Sequence, residues 1–96
     1  MITREEINAL DITNADIKRL REYCRTEITQ EERILLKDCC EDVDYFLTDF
    51  MLLNICEGKS YDKLQKQYYE LPRCRKDFYL RCKLALYLLV RRLYEN

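Results

Sequence analysis

The stretch Thr29–Gly58, TQEERILLKDCCEDVDYFLTDFMLLNICEG, decides the fold class of this 96-residue chain. Within it Leu36, Cys39, Cys40, Val43, Phe46, Leu47, Phe50, Leu53 and Ile55 recur at steps of three and four, the spacing that lines one face of an α-helix. Thr29 stands three residues before Glu32, the arrangement of a capping box: the threonine oxygen accepts a free backbone N–H and the glutamate reaches back. At the far end Gly58, the only glycine, falls where a left-handed C-terminal cap is wanted. The pattern predicts one helix over Gln30–Cys56, about 40 Å long at 1.5 Å per residue, as the central element of the fold. Its outer face is acidic, with Asp38, Glu41, Asp42, Asp44 and Asp49.

Working outward, the same start signal recurs upstream. Thr13 and Asp16 open a helix from Asn14 to about Thr26, with Ile17, Leu20 and Cys24 on the core side and Lys18, Arg19, Arg21, Glu22 and Arg25 outside. Thr3 and Glu6 mark a short first helix over Arg4–Ala9. Downstream, Ser60 with Asp62 behind it suits an N-cap, and a short helix follows from Tyr61 to about Tyr69, with Leu64 and Tyr68 inward. Leu71-Pro72 ends it, since the residue before proline is pushed out of the helical region. A last long helix runs from about Arg73 to Tyr94 on the stripe Phe78, Cys82, Ala85, Leu86, Leu89 and Leu93, widened by Leu84 and Leu88.

One glycine, one proline and 36% charged residues argue against a turn-rich sandwich or barrel, and 48% hydrophobic residues supply a core. The expectation is an all-α single domain over residues 1–96. It is a compact bundle of four to five helices with a long central helix and a C-terminal helix-turn-helix-like pair.

Several chemistries lack their residues. There is no histidine, no glycine-rich phosphate loop and no serine besides Ser60, so no enzyme and no cofactor are expected. The six cysteines, Cys24, Cys39, Cys40, Cys56, Cys74 and Cys82, lack the close pairs of a zinc site and read mainly as core residues. No window approaches the run of about 18 apolar residues that a membrane span needs. The N-terminus MITREEINALDITNADIKRL carries no secretion-type apolar run, so a cytoplasmic location is expected.

The net charge of −1 conceals a polarity. Residues 1–57 hold 7 Lys+Arg against 14 Asp+Glu, a net of −7, while residues 58–96 hold 10 against 4, a net of +6. Either the two halves neutralise one another across the fold, or the basic half is a surface for a polyanion. In that half Lys59, Lys63 and Lys66 accompany the short helix, and Arg73, Arg75, Lys76, Arg81 and Lys83 follow from the start of the long one, with Tyr79. A short helix, a three- or four-residue turn and a second helix with cations at its start is the layout of a helix-turn-helix. Duplex DNA is the expected partner: arginine grips guanine in the major groove and lysine meets phosphate.

Gly58 to Leu93, GKSYDKLQKQYYELPRCRKDFYLRCKLALYLLVRRL, resembles the C-terminal segment of small phage-encoded transcriptional regulators with a sigma region-four-like helix-turn-helix, the RinA/ArpU-like group. The resemblance rests on Gly58, Lys59, Ser60, Tyr61, Leu64, Arg75, Phe78, Tyr79, Leu86 and Leu89 and covers about 36 residues. It implies that Arg73, Arg75, Lys76, Tyr79 and Lys83 face DNA. The alternative expectation is a protein–protein interaction or assembly adaptor of phage type, through the acidic central helix or the apolar last one. Abundant tyrosine favours it, because tyrosine is enriched at interfaces.

Overall fold

Among the described residues, four of the five α-helices begin or end on a signal carried by a few residues. The computed structural model describes residues 13–68, 71 and 73–94. The expected first helix Arg4–Ala9 and the turn at Pro72 lie outside the described residues. The elements are α1 (Asn14–Thr26), α2 (Gln30–Asp44), a 3₁₀ turn (Tyr45–Leu47), α3 (Thr48–Glu57), α4 (Tyr61–Tyr68) and α5 (Arg75–Tyr94), with no strand among the described residues. Two capping boxes form as expected. The Thr13 hydroxyl accepts the Asp16 N–H and the Asp16 carboxylate accepts the Thr13 N–H, each at 3.1 Å. Thr29 and Glu32 repeat this, again at 3.1 Å. Ser60 starts α4 by accepting the Lys63 N–H at 3.2 Å.

The predicted single helix Gln30–Cys56 is interrupted. Asp44 turns to an extended conformation (φ −159°, ψ 101°), and its carboxylate accepts the Phe46 N–H at 3.2 Å. The Thr48 hydroxyl donates to the Tyr45 carbonyl at 2.9 Å, closing the 3₁₀ turn before α3 begins. A short side chain that bonds its own backbone offers the chain an alternative to the helical ladder, and here that alternative wins. The buried stripe nevertheless continues across the break. Val43, Leu47, Met51 and Ile55 point inward, while Phe46, expected in the core, is 81% exposed.

Gly58 ends α3 in the left-handed region (φ 70°), its N–H bonding Asn54 O and the Lys59 N–H bonding Leu53 O. A side chain there would be strained by the backbone and would meet the Arg25 guanidinium at 3.2 Å. Behind the cap Asn54 is 4% exposed, and both ends of its amide are satisfied. Arg21 donates to its oxygen at 2.6 Å, and its nitrogen donates to the Lys59 carbonyl at 2.9 Å.

The core is one cluster drawn from all five helices, with Leu36, Leu47, Met51, Ile55, Leu64, Phe78, Leu86 and Leu89 fully buried. Helix α5 packs most extensively on α2 and continues onto α1 and α3. The radius of gyration, 12.7 Å, is close to the roughly 12.5 Å of a compact domain of this length. Five cysteines are core residues and Cys74 is exposed. Tyr68, expected inward, is 43% exposed and rests edge-on against Phe50, with ring centroids 5.2 Å apart.

Candidate nucleic-acid interface

The basic half is organised around Tyr61, the first residue of α4. Its N–H donates to the Tyr79 hydroxyl at 3.0 Å, and its own hydroxyl donates to the Arg73 carbonyl at 2.9 Å. Its ring packs on Phe78 at 5.6 Å, and Phe78 in turn meets the Tyr79 ring at 5.5 Å. The Arg75 guanidinium lies 5.9 Å above the Tyr61 ring and pairs with Asp62. One aromatic therefore fixes the start of α5 relative to the start of α4. Among the described residues α4 runs to Tyr68, and α5 begins at Arg75 rather than Arg73. Leu71, between the two, is buried, its N–H donating to the Gln65 side chain at 3.0 Å.

The sequence-predicted cations divide into two sets. Lys63, Lys66 and Lys76 are exposed, Lys59 and Lys83 are half-buried, and none of the five is in an ion pair among the described residues. The arginines are engaged. Arg75 pairs with Asp62 on the surface, both side chains more than 60% exposed, and Arg73 reaches Asp44 at 3.4 Å. Tyr79 is half-buried, and its hydroxyl is occupied by the Tyr61 N–H.

Asp44 is the hub that residue spacing did not single out. Its side chain is 8% exposed and receives Arg73 Nε at 3.4 Å and Arg81 Nε at 3.1 Å while it caps the 3₁₀ turn. Arg81 Nε is buried and aligned for no hydrogen bond, so it is held by charge rather than by direction. Two residues earlier Asp42 pairs with Arg92, raising the arginine pKa by that hydrogen bond. The two halves thus neutralise each other along the α2–α5 seam. Lys63, Lys66 and Lys76 stay outside any ion pair among the described residues.

The other features are structural. A groove of about 660 Å³ between α1 and the end of α5 has Leu20, Leu89, Val90 and Leu93 as its apolar lining. The acids on it, Asp16 and Glu32, are spent on capping, and hydrogen bonds hold both carboxyls below the usual range. Burial pushes the Cys24 and Cys82 thiols up to about 12 and raises Cys39, Cys40 and Cys56 as well. Among the described residues no three metal-ligating side chains converge, and no helix is long and apolar enough to cross a membrane.

Comparison of the chain with family models, curated proteins and solved structures found no match. The reading of this surface rests on its own chemistry.

Proposed function

We propose that the chain binds duplex DNA through the outer face of the α4–α5 pair, as a transcriptional regulator of phage or mobile-element type. What carries the reading is the exposed, unpaired set Lys63, Lys66 and Lys76 beside the first turn of α5. Backbone N–H groups at a helix start favour an anion, and lysines around them add charge that phosphates answer. Arg75 is the base-reading candidate. Its pair with Asp62 is surface-exposed and worth at most about 1 kcal/mol, so it can exchange Asp62 for a guanine edge. Arg73 and Tyr79 then have positioning roles, holding the α5 start to Asp44 and to α4. The reading includes no catalytic step and no cofactor.

The test is an anisotropy titration with a labelled duplex. Four phosphate contacts give a salt slope of about −3.6, so affinity falls about 150-fold between roughly 50 and 200 mM salt. K63E/K66E reduces that slope to about half, with unchanged helicity. Absence of binding at low salt by the folded protein overturns the proposal and moves the chain to the assembly reading.

A further inference from the structure

The acids nearest the corner between α2 and α3 fall into two groups. Asp42 and Asp44, toward α5, are answered by Arg92, Arg73 and Arg81. Asp38 and Glu41 before the 3₁₀ corner and Asp49 just after it flank Tyr45 in the chain and are in no ion pair among the described residues. Between them the 3₁₀ corner holds out Tyr45, 70% exposed, and Phe46, 81% exposed, their rings edge-on at 5.9 Å. Leaving these two rings in water forfeits the stabilisation that burying apolar surface brings. Nor is the corner a slack loop, since Asp44, itself clamped by two arginines, and Thr48 fix its backbone. A rigid apolar pair inside an uncompensated acidic strip has the form of an interface core with a charged rim.

We propose that this aromatic–acidic strip docks the basic α4–α5 face of a second copy, so that the chain self-associates head to tail. The complement it needs is a surface with several free cations, and Lys63, Lys66 and Lys76 are that set on every copy. Lysine over a tyrosine or phenylalanine ring adds cation–π attraction to the ionic one. A symmetric contact of the strip with itself sets acid against acid, which costs affinity. The contact therefore joins unlike faces, so each copy carries one acidic and one basic docking face. The inference does not rest on the DNA reading. If both hold, duplex and neighbouring copy compete for the same lysines.

The test is light scattering on the full chain, without nucleic acid, across a concentration series at low and high salt. The average mass is expected to rise with concentration at low salt and return to the monomer at high salt. Y45S/F46S and K63E/K66E/K76E, both confined to exposed side chains and checked by circular dichroism, are each expected to stay monomeric. Mixed one to one, they are expected to form a heterodimer, because the first keeps the basic face and the second keeps the strip. A wild-type chain that stays monomeric at every concentration overturns the proposal. So does a mixture that stays monomeric while the wild type assembles, which indicates a symmetric contact, or binding of the strip only to an unrelated lysine-rich protein.

Discussion

Replacing Asp44 by alanine removes three things at once, and the structure sets the size of each. The first is the cap on the Phe46 N–H, whose loss costs about 1 kcal/mol. Then come the ion pairs to Arg81 and Arg73. Asp44 is 8% exposed and Arg81 22%, which places that pair between the roughly 0–1 kcal/mol of a surface pair and the 3–5 kcal/mol lost when one partner of a buried pair is removed. About 2 kcal/mol for both arginines is a middle value, giving about 3 kcal/mol in total. A domain of this size has roughly 5–14 kcal/mol of stability, so D44A removes about a fifth to three-fifths of it and lowers Tm by about 12–24 °C. Urea denaturation followed at the helical dichroism band measures the loss directly. D44N keeps a capping oxygen but not the charge, and is expected to lose about 2 kcal/mol. In a double-mutant cycle D44N and R81M are expected to couple by about 1–2 kcal/mol. A D44A loss below about 1 kcal/mol, or zero coupling to Arg81, would falsify the account of Asp44 as the hub of the α2–α5 seam.

Two further outcomes follow from side-chain environments. Tyr23 donates to Glu32 at 2.5 Å, and this hydrogen bond raises the phenol pKa to about 12 while lowering the Glu32 carboxyl below its ordinary 4.5. The raised group stabilises fully below pH 10 and loses its contribution as pH rises towards 12; the lowered group stabilises above pH 4.5 and loses its contribution as pH falls through the folded value. Y23F is therefore expected to flatten the alkaline limb of the urea-midpoint profile and part of the acid limb, and an unchanged difference from wild type across pH refutes it. For the thiols, an aromatic disulfide reagent at mildly alkaline pH is expected to modify Cys74 fast and the other five only as the fold opens, since burial both hides them and disfavours their thiolates. More than one fast thiol in the folded protein contradicts the buried placement.

Local signals were the legible part of the fold. Capping boxes at Thr13 and Thr29, the serine at Ser60 and the lone glycine each act within four residues, so α1, the start of α2 and the end of α3 can be placed from spacing alone. The interruption at Asp44 was hidden because the apolar period runs through it and neither glycine nor proline marks it. Its causes are a side chain turned onto its own backbone and two arginines that arrive from 29 and 37 residues further along. The only local hint is an aspartate inside an apolar run with a threonine four residues on. The same limit applies to the candidate site. Lysines that face solvent could be named from the sequence, whereas the commitment of Tyr79 to Tyr61, 18 residues away, and of Arg75 to Asp62, 13 away, needs the fold. Charge-pattern reasoning gave two options, neutralisation within the chain or a basic surface for a polyanion. The pairs of Asp42 and Asp44 with Arg92, Arg73 and Arg81 show the first, and Lys63, Lys66 and Lys76 are left over for the proposed second.

Gly58 marks more than the end of a helix. It divides the acidic residues 1–57 from the basic residues 58–96 at a point where the backbone takes a left-handed turn, so the mechanical joint and the boundary of charge coincide. A chain severed there leaves two pieces of opposite sign whose helices α2 and α5 share the largest contact in the molecule. Such pieces attract before they touch, and the ionic seam from Asp42 to Arg92 and from Asp44 to Arg81 gives them a register in which to meet. The fold is in this sense a binding reaction between two halves, with the glycine as the tether that makes it intramolecular.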